Sequence, residues 1–79
     1  MKEDVIIKLE EILKNYNINM ETIDKDRSII EANIIDSITF VNMLLEIEDT
    51  LGVLINFDEV DMEQLVYLNN LIDHIKSIS

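Results

Sequence analysis

The sequence predicts an all-α domain: a small irregular four-helix bundle with three main helices and one short one. Three observations predict it. Hydrophobic residues make up 48% of the chain and recur at intervals of three and four in separate stretches, the spacing of one helix face. Only Val53-Leu54-Ile55 reads as an extended apolar segment, and no second segment offers it a strand partner. The chain has 79 residues, the size of one domain with a modest core. Residues 1–79 are therefore expected to fold as a single unit.

The first helix is expected from Lys2 to Asn15. Val5, Leu9, Ile12, Leu13 and Tyr16 draw its apolar stripe, and most of its charged residues fall outside that stripe. The Asn-rich stretch Asn15 to Asn19 ends it, because Asn prefers turns and caps. Met20 to Asp36 then form a long connection, a length that in a small domain often serves function. Ile29, Ile30, Ile34 and Ile35 are expected to anchor it. Asn33 sits where a sharp turn is needed, and Asn tolerates left-handed backbone.

The second helix is expected to begin at Asp36 or Ser37 and to end at Thr50 or Leu51. Asp36 is a good N-cap, since its carboxylate can accept from the free amides of the first turn. Gly52, the only glycine, is a natural stop. Phe40, Val41, Leu44, Ile47 and Leu51 form the expected core stripe. Ile38, Met43 and Leu45 widen the apolar surface beyond that of a half-buried helix, as extra core or as a docking patch. Val53-Leu54-Ile55 is expected to be extended and buried, and Asn56 to Asp61 to make one helical turn. Leu65, Leu68, Leu71, Ile72, Ile75 and Ile78 define a last helix from Val66 to Ser77.

Charge excludes some functions. Seventeen acidic residues face six basic ones, a formal net charge of −11. Nucleic-acid binding needs clustered Lys and Arg, so no nucleic-acid partner is expected. Partners with basic patches fit the field of such a protein. The chain has no cysteine, hence no disulfide and no thiolate metal site. It also lacks zinc-ligand spacing and a glycine-rich phosphate loop. No apolar run is long enough to span a bilayer, and Met1-Lys2-Glu3-Asp4 lacks the basic start and apolar stretch of a signal peptide. A monomeric cytoplasmic protein is the expectation.

The residues that carry chemistry are Ile34-Ile35-Asp36-Ser37-Ile38. They place a hydroxyl directly after an acid where a loop becomes a helix. A serine hydroxyl is a weak nucleophile without a base. The only histidine, His74, is far away in sequence and reads as a half-buried packing residue. A Ser-His-Asp hydrolase is therefore not the expectation. Asp-Ser also serves as an ordinary N-cap in many helices. Glu46, Glu48 and Asp49 read as a solvated acidic face rather than a cation site.

The stretch from Ile29 to Ser37 runs as two apolar residues, an acid, a small residue, Asn33, two apolar residues, then Asp-Ser. With the helix order and acidity around it, this resembles the acyl carrier protein family over essentially the whole chain, most densely from Ile29 to Ile55. The version of the motif is similar to discrete D-alanyl, aminoacyl or polyketide carriers. Asn33 stands where that pattern has Gly, Leu51 where it usually has Phe, and Thr39 and Asn42 where acids are common. The resemblance implies a carrier that catalyses nothing itself. Its cofactor would be 4'-phosphopantetheine, attached covalently to Ser37 by a separate phosphopantetheinyl transferase, with Asp36 and Ile38 flanking the site. The cargo would ride as a thioester in fatty acid, polyketide, nonribosomal peptide or D-alanyl transfer pathways. Loading and processing enzymes with basic docking patches would meet Ile35, Ile38, Met43, Leu45, Glu46, Glu48 and Asp49. The alternative is an unmodified acidic helical protein–protein interaction module.

Overall fold

The computed structural model describes residues 2–79, with side chains from Glu3 onward. Four helices follow in order: α1 (Lys2–Lys14), α2 (Ser37–Leu51), α3 (Met62–Leu65) and α4 (Leu68–Ile78). α1 packs on α2 and on α4, and α3 packs on α4. Among the described residues there is no strand, only one isolated antiparallel bridge between Ser28 and Tyr67. The fold is an irregular helical bundle, as the periodicity predicts.

Each main helix buries one stripe. α1 contributes Leu9, Ile12 and Leu13, and α4 contributes Leu68, Leu71, Ile72 and Ile75. α2 buries Phe40, Met43, Leu44 and Ile47, the i, i+3, i+4, i+7 set that covers one helix face. Two expectations for α2 are corrected here. Val41 is not core but 39% exposed, and Met43 is fully buried rather than part of a docking patch. At 100° per residue Met43 lies within the Phe40–Ile47 face, whereas Val41 turns away from it.

The ends of the elements follow local chemistry. α1 is followed by a Schellman cap. Asn17 has φ +64°, its amide donates to the Lys14 carbonyl, and the Ile18 amide donates to the Leu13 carbonyl. Gly52 ends α2 with φ +66° and its amide donates to the Glu48 carbonyl. Val53-Leu54-Ile55 departs from expectation, since Ile55 is buried but Leu54 is 78% exposed; extended backbone sends successive side chains to opposite sides.

Asn56 to Asp61 hold the one helical turn expected there, and the short helix α3 follows it at Met62–Leu65. The Asn56 carbonyl accepts from the amides of Glu59 and Val60, which makes one turn only. Asp61 is extended (φ −90°, ψ 104°), and its carboxylate accepts from the Glu63 amide to start α3. α4 begins at Leu68 rather than Val66, because Val66 and Tyr67 are engaged with the long connection. The Ile29 amide donates to the Val66 carbonyl at 3.0 Å, and the Asn69 amide donates to the Lys25 carbonyl at 3.2 Å. Asn69 Nδ2 also donates to the Asp26 carboxylate. Tyr67, at the N-cap, makes no side-chain cap; the backbone stitching holds that end instead.

The connection before α2 is thus ordered, not a loose loop. Ser28 is buried, and its Oγ accepts from the Glu31 amide. The Ala32 amide donates to the Ser28 carbonyl, so residues 28–32 make one helical turn. Asn33 closes that turn with φ +59°. The Ile34 amide reaches back to the Ile29 carbonyl, a second Schellman arrangement. This reversal, pinned by the fully buried Ile29, delivers Asp36 and Ser37 to the start of α2.

Candidate functional site

Asp36 caps α2. Its backbone is extended (φ −91°, ψ 173°) and its carboxylate accepts from the Thr39 amide at 2.7 Å. That hydrogen bond, then the Thr39 side chain and, least, the Ile38 amide, hold the carboxyl below its ordinary range against the opposing effect of burial. Asp36 therefore carries a full negative charge at neutral pH, already engaged with its own helix.

Ser37 is the first residue of α2 and is exposed. Its hydroxyl makes no hydrogen bond to the described residues. It sits on the edge of two clefts. One, of about 650 Å³, lies between the end of α1 and the start of α2 and is lined by Asn15, Tyr16, Asn17, Asn33 and Thr39. The other, of about 600 Å³, is bounded by Ile30, Glu31, Phe40, Val41, Glu63 and Tyr67. Neither cleft is lined by a His, Lys or Arg. His74, half-buried as expected, lines a separate cleft with Leu54 and Val60, so no Ser-His pair is assembled at Ser37.

The residues expected at a partner surface divide three ways. Ile38 and Leu45 are 76% and 48% exposed, and Asp49 is exposed beside them. Val41 joins this face, a residue the sequence reading placed in the core. The signal for it was available: positions 38, 41 and 45 fall on one side of a 3.6-residue helix, opposite Phe40 and Ile47. Ile35 is half-buried and packs against the core. Met43 is core.

Glu46 and Glu48 are half-buried, so the expectation of a fully solvated acidic face is corrected for both. Glu48 Oε2 accepts from the Ile55 amide at 2.7 Å, which ties the chain after α2 back to the helix. Glu46 Oε2 is buried with no partner. The Tyr16 hydroxyl is pushed above its ordinary value by burial and, second, by the Glu46 charge. Asp49 alone of the three is openly solvated.

The segment from Ser28 to Ile75 contains no Lys or Arg. It covers all of α2 and α3, so no basic residue of either helix offsets their carboxylates; Lys8 of α1 lines one cleft with Glu46 and Asp49. No helix of the described residues is long and apolar enough to cross a membrane. No group of three or more His, Asp or Glu side chains among them is placed to hold a metal ion. The sequence reading missed Asn15, Tyr16 and Asn17 as neighbours of Ser37, since it treated that stretch only as a helix stop. Compared with protein-family models, with curated proteins and with solved structures, the chain matches none.

Proposed function

We propose that this chain is a discrete carrier protein that receives 4'-phosphopantetheine on Ser37 and carries an acyl or aminoacyl group. The observation that carries the reading is the state of Ser37: exposed, free of internal hydrogen bonds and set at the first position of a 15-residue helix between two clefts. The residues fit the group. The hydroxyl is accessible to a transferase, and a phosphodiester there meets the positive end of α2. When attached, the arm supplies a terminal thiol that holds cargo as a thioester.

Ser37 lacks a base of its own, so a separate transferase must take its proton. Its Oγ forms the new bond to phosphorus, while the bond from that phosphorus to the nucleotide part of coenzyme A breaks. Asp36 keeps the helix start ordered and leaves a fixed negative charge beside the serine. The Ile38–Val41–Leu45 stripe with Asp49 is the docking face for the transferase and for loading enzymes with basic patches. Cytoplasmic location and a monomeric state fit this role. The protein itself catalyses no step, and the cargo is aminoacyl, D-alanyl, polyketide or fatty acyl.

The test is the intact mass after incubation with coenzyme A, Mg²⁺ and a promiscuous phosphopantetheinyl transferase. One phosphopantetheine on wild type and none on Ser37→Ala supports the carrier reading. No addition with several transferases refutes it. The same exposed stripe and acidic border then favour a second reading, an unmodified interaction module whose binding to a basic partner survives Ser37→Ala.

A further inference from the structure

Eight asparagines occur in this chain; one of them, Asn42, is exposed on α2 away from any cleft at Ser37 and makes no side-chain hydrogen bond, and the other seven divide by use. Asn19, Asn56, Asn69 and Asn70 all spend their side chains on hydrogen bonds within the protein. Asn15, Asn17 and Asn33 do not: none of their carboxamides bonds to another described residue. These three line one cleft together with Tyr16 and Thr39, and Ser37 forms part of its wall. Two of them hold left-handed backbone, at φ +64° and +59°, so both rims of the cleft are built on positions few residue types accept. Free carboxamides thus gather where the hydroxyl of Ser37 emerges.

We infer that this cleft seats the phosphate end of the arm, with the carboxamide N–H groups of Asn15, Asn17 and Asn33 and the Tyr16 hydroxyl as donors to the phosphodiester oxygens. The inference rests on the carrier reading. Each carboxamide offers two donors and the phenol one, and such neutral side chains commonly hold phosphate oxygens. Hydrogen bonds to a charged oxygen are also stronger than neutral ones.

Electrostatics decides between the two clefts. The opposite one is lined by Glu31 and Glu63, which at neutral pH offer only acceptors and negative charge. The asparagine cleft is lined by one carboxylate, Asp36, already engaged by the Thr39 amide; the Glu46 charge reaches the Tyr16 hydroxyl from outside that lining and helps keep it protonated as a donor. Holding the phosphate with neutral donors also adds no positive charge beside the acidic surface of α2, where a lysine would weaken its attraction for basic partners.

The experiment compares apo and modified protein by NMR, after the mass spectrum has shown the addition. The carboxamide resonances of Asn15, Asn17 and Asn33 are expected to shift, while those of Asn56 and Asn70 stay in place. In the variant N15A/N17D/N33D, Asp keeps the left-handed backbone tolerable but removes the donors. Its ³¹P line is expected to narrow by about twofold, because the phosphate then moves independently of the domain. A variant with the same added charge elsewhere, N42D/N56D, is expected to keep the broad line. Addition of the arm without movement of the three resonances overturns this inference alone. Equal narrowing in both variants also overturns it. Failure of the arm to attach overturns the carrier reading and this inference with it.

Discussion

Truncating Glu48 separates a structural role from a docking role. Its Oε2 accepts from the Ile55 amide at 2.7 Å, and Ile55 is only 1% exposed. In Glu48→Ala that amide stays buried and loses its acceptor. A hydrogen bond to a charged group contributes about 1.5–3 kcal/mol. Glu48 is half-buried, so water entering the space left behind recovers part of the loss, and about 2 kcal/mol is expected. For a domain this small each kcal/mol moves the melting temperature by about 4–8 °C, so a fall of about 8–16 °C follows. Glu48→Gln keeps a neutral acceptor and is expected to lose about half as much, given that charge-assisted bonds are about twice as strong. Urea denaturation followed by circular dichroism measures the loss, with Asp49→Ala as the exposed control, expected within about 0.5 kcal/mol of wild type. If Glu48→Ala also stays within that margin, the amide does not depend on the carboxylate, and Glu48 returns to the docking face.

Met43→Ala is expected to destabilise by about 2–5 kcal/mol through the cavity it opens in the core, whereas Ile38→Ala stays within about 0.5 kcal/mol but slows modification by the transferase; urea melts and a time course of intact mass check the pair. Asp36 has a folded-state pKa below its ordinary 3.8, so its contribution is full above that pH and is lost as pH falls through the lowered value. Asp36→Asn is expected to flatten that acid limb of a stability-versus-pH curve. Gly52→Ala meets no atom within 4 Å of the new Cβ, so its loss of about 1–2 kcal/mol comes from left-handed backbone alone, and Gly52→Asn is expected to lose less. Tyr16 has a raised folded-state pKa; its contribution is complete below 10.0 and declines as pH rises through the raised value, a decline that Tyr16→Phe is expected to remove from an alkaline melt series.

Much of the candidate site was legible because it is local. An acid before a helix caps it whatever surrounds it, so Asp36 and Ser37 could be placed from the sequence, as could Gly52 and the left-handed Asn33. The core of α1 and α4 was legible because one regular period governs a helix face. α2 was harder, since its apolar residues cover more than one face. The period separates Ile38, Val41 and Leu45 from Phe40, Met43 and Ile47, but which of the two apolar faces turns inward is set by the packing of α1 on α2. The start of α4 was hidden because its partner, the stretch Lys25 to Ile29, lies far away in sequence. Likewise, nothing near Glu48 announces that it serves the Ile55 amide.

The sequence by itself determined the helical class, the acidity, the cap at Asp36 and the place of the serine after it, because these follow from residue type and short-range periodicity. Only the tertiary structure decided that Met43 is core, that Glu48 is a structural acceptor, and that three free asparagines meet at Ser37. Those outcomes depend on which distant segments pack together, and that is set by the burial of Ile18, Ile29 and Ile55 in a shared core rather than by any local preference.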